Sequence, residues 1–155
     1  MTYSWAILIV LGVIGALSYF GLLNPSSLIP ERCLIQGDLV CKDFKVIDAS
    51  DDSVMLRLEN GLGRGIMITS INISSDSISC VRSYATGLNI PNGEVTEITI
   101  SGPVGNCPTN CCTIDYYTGK KKAYIIVTYY NEGASPSFSH RIVGELFAES
   151  QKIAS

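Results

Sequence analysis

Residues Trp5–Leu23 read WAILIVLGVIGALSYFGLL and carry no charge. Only Ser18 and the hydroxyl of Tyr19 interrupt the apolar side chains. A helix from Thr2 to Leu23 would be roughly 33 Å long at about 1.5 Å per residue, which is enough to cross a bilayer core. Such a helix is apolar on every side, so it must lie in lipid or among other helices.

The rest of the chain has a different composition. Mean hydropathy is +0.28 although 16% of the residues are charged. All 25 charged residues lie in the 125 residues after Pro30, where they make up 20%. One domain of this size excludes a multidomain enzyme, and the apolar content excludes a disordered chain. A net charge of −3 without a basic stripe excludes nucleic acid as a partner.

The helix does not fit the ordinary targeting segments. A cleavable secretion signal would need a positive start and an A-x-A-like cleavage site, and neither occurs. A single-pass anchor would normally have a flanking Lys or Arg. Gly12, Gly15 and Ala16 are small, and such residues let apolar helices approach closely.

The N-terminal run resembles a known family. Met1–Val10 (MTYSWAILIV), Tyr19-Phe20-Gly21 and Asn24-Pro25 resemble the archaeal type IV pilin-like proteins with a class III signal peptide. The resemblance implies that assembly machinery removes a short charged leader, and that the freed helix anchors the precursor in the membrane. The helix then bundles with its copies in an extracellular filament. The expected self-assembly residues are Trp5, Ile7, Leu8, Val10, Leu11, Gly12, Ile14, Gly15, Ala16, Tyr19 and Phe20.

Beyond Pro30 the pattern changes to alternation with period two. Val54, Leu56 and Leu58 share one face, while Ile66/Ile68 and Ile71/Ile73 indicate a strand with a bulge near Ser70. Seven or so short strands, separated by turns such as Asn60-Gly61, Asn92-Gly93 and Thr118-Gly119, predict an antiparallel sandwich, with an immunoglobulin-like fold or a β-barrel as the variants. The expected fold class is therefore α+β, a long apolar helix followed by an all-β sandwich.

The expected domains are an assembly or transmembrane helix at 1–24, a connector at 25–32 and a β-domain at 33–155. The connector region NPSSLIPER contains two prolines in nine residues, which makes it short and stiff.

Six cysteines, an even number, all follow the helix. An extracellular domain of this kind favours three disulfides, and fifteen pairings are open. Cys33–Cys41 closes a small loop and is the favoured pair; Cys80 is expected to pair with Cys111 or Cys112, leaving Cys107 for the other. A zinc site would need a second Cys pair or more histidines, so no metal is expected.

No motif for catalysis occurs. His140 is the only histidine, and neither a G-x-S-x-G elbow nor a P-loop is present, so we expect no enzyme, no catalytic residue and no cofactor. The acidic residues Asp48, Asp51 and Asp52 are interpreted as a solvated turn. Lys120–Lys122 are interpreted as solubility and edge protection, with an anionic surface or a neighbouring subunit as the alternative partner. Asn72-Ile73-Ser74 is the single N-x-[ST] sequon without proline at x, so Asn72 is interpreted as a candidate N-glycosylation site.

The sequence thus favours a filament subunit whose partner is a second copy of itself and whose β-domain lies outside, with a role in adhesion. The alternative is a monomeric membrane-anchored ectodomain that binds a ligand or a partner. An Asp at Leu11 or Ile14 separates the two, because it should abolish filaments and leave the β-domain folded.

Overall fold

The computed structural model describes residues 3–19, 29–102 and 109–153. The chain divides into two compact units, Met1–Pro30 and Glu31–Ser155. The first contains the helix α1 (Ser4–Tyr19). The second, called the β unit below, contains β1 (Arg32–Ile35), β2 (Leu39–Asp48), β3 (Ser53–Asn60), β4 (Ile66–Ser74), β5 (Ile78–Ile90), β6 (Val95–Ser101), β7 (Asn110–Ile114), β8 (Lys120–Asn131), a 3₁₀ turn (Pro136–Phe138), β9 (His140–Glu149) and β10 (Gln151–Lys152).

The expected fold class is wrong in its helical part. The chain is 59% strand, and α1 has 16 residues. At about 1.5 Å per residue α1 is roughly 24 Å long, against about 30 Å for a bilayer core. Among the described residues, none of the helices has the length and apolarity to span a membrane. The expected residues Thr2 and 20–23, Phe20 among them, lie outside the described residues.

The strands form a sandwich of two sheets, as expected. The large sheet has the order β1-β9-β8-β4-β5-β7, and the small sheet has the order β10-β2-β3-β6. All neighbours are antiparallel except β10, which pairs with β2 in parallel. The β-sandwich is therefore the fold of this unit, with ten strands in its described residues where the alternation predicted about seven.

The core lies between the sheets and follows the alternation. On β3, Val54, Leu56 and Leu58 are buried while Arg57 points outward, so the predicted face is confirmed. Residues from every core-facing strand join one apolar cluster that lies entirely within the β unit. Because successive side chains of a strand point to opposite faces, the buried residues of strands such as β3 and β6 alternate with more exposed ones.

The predicted face switch on β4 is a bulge. The register with both neighbouring strands shifts between Ile68 and Ser70. Thr69, at the shift, donates a hydrogen bond from its hydroxyl to the carbonyl of Thr128 at 3.1 Å. Ile68 and Ile71 can thus both face the core although they are three residues apart.

Asn60 fixes the passage from the small sheet to the large one. Its side chain is fully buried, and its Nδ2 donates to the carbonyls of Arg64 at 2.7 Å and Ile90 at 2.8 Å. Its Oδ1 accepts from the backbone N–H of Leu62 at 3.0 Å. A Cβ at Gly61 would lie 2.6 Å from the carbonyl oxygen of Asp38, so glycine is required there. The Asn-Gly pair therefore acts through tertiary contacts as well as through a turn.

Candidate assembly surfaces

Helix α1 presents apolar side chains to solvent all around its circumference. Six of the predicted assembly residues are exposed to between 49% and 69%: Trp5, Ile7, Leu8, Val10, Leu11 and Ile14. No residue of α1 is buried, and its first and last turns carry no charge. The Ser18 hydroxyl donates to the carbonyl of Ile14 at 2.9 Å, so this polar group needs no water. We call this set of exposed side chains the helix surface.

The helix surface differs between its two sides. Tyr3, Ala6, Ile7, Val10 and Leu11 line a shallow apolar groove along one side. Their spacing of three and four residues places them on a single stripe. The other side carries Gly12 and Gly15, where an added Cβ would find no atom within 4 Å. The side of α1 that carries Ile7 and Val10 therefore has large side chains with a hollow at Ala6. The side that carries Gly12 and Gly15 has room for a second helix to approach closely.

The outer face of the small sheet is charged. Asp43, Arg57 and Glu97 lie opposite one another on β2, β3 and β6. They belong to a shallow, open hollow that Lys45 and Met55 also line. The hollow has no buried polar group aimed into it, since no buried side-chain nitrogen or oxygen of the described residues lacks a partner. This row is a charged, solvent-facing strand face.

The outer face of the large sheet is more apolar. Leu34, Tyr124 and Val143 are exposed there to 56%, 49% and 41%, and we call them the large-sheet patch. They surround Gly144, where a Cβ would lie 2.6 Å from the carbonyl oxygen of Leu34, so the strands approach too closely for a side chain. Glu145 lies in the same hollow and forms an ion pair with Lys122. The patch is small and has a charged rim.

Disulfides tie the β unit together. Cys33–Cys41, the favoured pair, joins β1 of the large sheet to β2 of the small sheet. Cys80–Cys112, one of the two expected alternatives, joins directly opposed residues of β5 and β7. Cys111 is disulfide-bonded as well, and Cys107 lies outside the described residues. Disulfides persist in oxidising compartments, so the bonds point to an extracellular or otherwise oxidising environment.

The acidic loop differs from the predicted solvated turn at Asp52, whereas Asp51 is exposed. The Asp52 carboxylate accepts hydrogen bonds from the backbone N–H of Ala49 at 3.2 Å and of Ile114 at 2.7 Å. Asp52 therefore ties the β2–β3 turn of the small sheet to β7 of the large one. A carboxylate reaching a strand far along the chain leaves no local sequence signal. Within residues 3–19, 29–102 and 109–153, no group of three His, Cys, Asp or Glu side chains could hold a metal.

Along residues 120–122, β8 pairs with β9 among the described strands, and its pairing with β4 begins at Tyr124. Edge protection by the lysine run therefore stays a prediction. Lys121 donates to the Ser77 hydroxyl at 2.7 Å and lies over the ring of Tyr117. Lys122 pairs with Glu145 at 2.6 Å, and this hydrogen bond raises the pKa of the Lys122 amine. Both lysines thus have contacts within the β unit.

Tyr117 and His140 are two further polar side chains with defined contacts in the β unit. The buried Tyr117 hydroxyl donates to the carbonyl of Ala148 at 3.2 Å. Burial, followed by the charges of Glu31 and Glu149, raises the pKa of Tyr117 to about 12. His140, the only histidine, lies at the start of β9 with its ring centroid 5.7 Å from that of Tyr129 and tilted by 39°.

The sequon lies on the outer face of the large sheet. Asn72 and Ser74 are exposed on β4, where they alternate with the buried Ile71 and Ile73.

A comparison of the chain with protein-family models gives no match, and a comparison with curated proteins gives none either.

Proposed function

We propose that the chain is a structural subunit of an extracellular filament, similar to an archaeal type IV pilin, that polymerises through α1. The observation that carries the proposal is the helix surface: Ser4–Tyr19 is uncharged, apolar on all sides and without a buried residue. A helix with this pattern requires a cover, and copies of itself provide a matching apolar cover.

The energetics of that cover favour association. Nine large apolar side chains of α1 are exposed: Trp5, Ile7, Leu8, Ile9, Val10, Leu11, Val13, Ile14 and Tyr19. At about 1.5–3 kcal/mol for each fully buried side chain, complete burial of all nine would contribute roughly 14–27 kcal/mol per subunit. Loss of translational and rotational freedom opposes this by about 4–15 kcal/mol. The balance supports stable polymers once each helix contacts several others.

The β unit supports the same proposal through its self-contained core and its disulfides. Its apolar cluster contains no residue of α1, so the β unit has a core of its own without the helix. A polar outer surface with a self-contained core suits the solvent-exposed layer of a filament. The disulfides suit assembly outside the reducing cytoplasm. Attachment of the filament to other surfaces would then take place through the β unit.

Electron microscopy of the material from the organism that makes it tests the proposal. We expect regular filaments containing the intact chain, identified by mass spectrometry of the purified fibres. The rival function, a monomeric ectodomain that binds a ligand, predicts monodisperse particles that stay single when the protein is concentrated. Particles of that kind from cells that express the chain would overturn the filament proposal.

A further inference from the structure

The strand β1 is held weakly by its own sheet. It has four residues, Arg32–Ile35, and among the described strands it pairs with β9 alone. None of its residues is fully buried, although Ile35 packs against the core. Short edge strands with few buried contacts are among the first parts of a fold to open. The position of β1 therefore depends on any further attachment that it has.

The Cys33–Cys41 disulfide is such an attachment, and we call it the clasp. Cys33 is the second residue of β1, and Cys41 lies on β2, so the clasp joins an edge strand of the large sheet to the small sheet. Cys33 is also close in the chain to Glu31, where the β unit begins. The clasp thus secures the strand through which the chain enters the β unit.

The two disulfides whose cysteines are both described differ in their exposure to solvent. Cys80 and Cys112 are 0% exposed and belong to the apolar cluster between the sheets. Cys33 and Cys41 are only half-buried. A reductant opens a disulfide when its thiolate attacks one of the two sulfur atoms, so access to the sulfur controls the rate. Of these two bonds, the clasp is the one that a dissolved thiol can reach while the β unit stays folded.

The surroundings of Cys41 also provide for its reduced form. The Sγ of Cys41 lies 3.7 Å from the carbonyl oxygen of Asp43, at an exposed position. A sulfur atom in a disulfide has no hydrogen to donate, but the thiol that reduction forms is a weak donor. The freed thiol of Cys41 therefore has an acceptor within reach without movement of β2.

We propose that the clasp is a redox-sensitive switch, which a dithiol reductant opens in the folded β unit and which thereby releases β1 from the sandwich. A thiolate of the reductant attacks the Sγ of one cysteine, the S–S bond breaks, and the other cysteine leaves as a thiolate that takes up a proton. The second thiol of the reductant then displaces the first cysteine and closes the reductant's own disulfide. Two electrons and two protons pass from the dithiol to Cys33 and Cys41.

Release of β1 changes the edge of the large sheet. With the clasp open, β1 keeps only its four-residue pairing with β9. Its departure exposes residues 144–147 of β9 as an unpaired edge, and an edge of this kind can pair with another chain. The switch acts within the β unit, so this proposal and the filament proposal can fail independently of each other.

Differential alkylation tests which disulfide opens first. The full chain is incubated under native conditions with dithiothreitol, free thiols are blocked with N-ethylmaleimide at intervals, and trypsin digests the denatured protein. Both clasp cysteines fall in the peptide 33–42, and Cys80 falls in the peptide 65–82. We expect two maleimide groups on 33–42 at a rate at least about tenfold higher than the labelling of Cys80. Labelling of Cys80 at the same rate or earlier would overturn the proposal.

Hydrogen exchange tests whether the open clasp releases β1. In the oxidised chain the N–H of Gln36, directly after β1, donates to the carbonyl of Val143 at 3.0 Å. After reduction we expect exchange over residues 33–36 to accelerate by about tenfold or more, while β3 keeps its protection and reoxidation restores the original rate. Unchanged exchange over 33–36 would show that the clasp does not hold β1. Loss of protection in β3 at the same time would show global unfolding, which also contradicts a local switch.

A matched variant separates the clasp from other effects of the reductant. Cys33→Ser/Cys41→Ser lacks the bond and keeps side chains of similar size, so it should exchange rapidly over residues 33–36 without dithiothreitol. Addition of dithiothreitol should not accelerate this exchange further. Slow exchange in the variant, equal to that of the oxidised wild type, would refute the proposal.

Discussion

Helix α1 and the β unit are both rich in apolar side chains, but they place them differently. In the β unit, strands such as β3 turn alternate residues inward, and the apolar ones meet between two sheets. In α1, apolar residues occupy every side of the helix, so no rotation could bury them all against one neighbour. The same kind of residue thus forms a closed core in one region and an open surface in the other.

This difference assigns separate tasks to the two regions. The β unit packs its apolar side chains between its own two sheets. The Cys33–Cys41 disulfide, the buried Asn60 and the carboxylate of Asp52 connect those sheets. Helix α1 has no such internal partners for its apolar side chains. Changes in the helix should therefore affect assembly and leave folding intact, and changes in the β unit should do the reverse.

The largest effect is expected from a charge in the helix. Leu11→Asp or Ile14→Asp would place a carboxylate among packed apolar helices, where an unpaired charge costs several kcal/mol. We expect loss of filaments by electron microscopy with an unchanged melting temperature of the β unit. Phe138→Asp, which adds the same charge at a residue 70% exposed on the β8–β9 connection, is the control and should still polymerise. Normal filaments from Leu11→Asp would show that the helix surface is not the assembly surface.

The disulfides should give the next largest effect, confined to the β unit. Cys80→Ala/Cys112→Ala removes a bond that spans 32 residues and should lower the free energy of unfolding by about 3–4 kcal/mol. Cys33→Ala/Cys41→Ala opens a loop of separation 8 and should cost about 2–3 kcal/mol. Urea unfolding of both variants measures the difference. An equal or reversed order would mean that restriction of the unfolded chain does not control the stability of this unit.

Asn60 tests the passage between the sheets. Asn60→Asp keeps the shape but replaces a donor of two hydrogen bonds by an acceptor that faces the carbonyls of Arg64 and Ile90. We expect a loss of about 3 kcal/mol in chemical unfolding, because a buried charge is left against two acceptors. Asn92→Asp, at an exposed turn, should stay within about 0.5 kcal/mol of the wild type. A small effect at Asn60 would mean that the crossing is held elsewhere.

The smallest expected effect depends on pH and concerns Tyr117. The pKa of Tyr117 is raised in the folded chain to about 12, so the folded state keeps the proton where the unfolded state loses it. This contribution to stability is complete below about pH 10 and is lost between about pH 10 and 12, with a limit of about 1.4 kcal/mol per pH unit. Tyr117→Phe should therefore lose less stability than the wild type when urea unfolding is repeated at pH 9 and 11. Parallel losses would contradict the burial of this hydroxyl.

Patterns that depend on near neighbours could be predicted from the sequence. The inward face of β3, the bulge after Ile68 and the bond Cys33–Cys41 followed from alternation or short spacing. The strand β1 and the strand β7 were missed because four or five residues are too few to establish a period. The helix was predicted over Thr2–Leu23 from hydropathy, and the structure describes it over Ser4–Tyr19.

Long-range roles of polar residues could not be predicted. Asn60 appeared to be a turn residue, and Asp52 appeared to be part of a solvated loop. Their partners Ile90 and Ile114 are 30 and 62 residues away in the chain, and only the folded sheets bring them close. The contacts of the lysine run could not be predicted for a related reason, since Ser77, the partner of Lys121, is 44 residues away in the chain.

The most direct test of the division of tasks is a helical reconstruction of the filament by cryo-electron microscopy. The account predicts rods of density at the axis that fit Ser4–Tyr19, with a β-sandwich at larger radius and no sandwich contact required at the axis. A filament whose axis is occupied by β-sandwiches, with the helices at its outside, would contradict it.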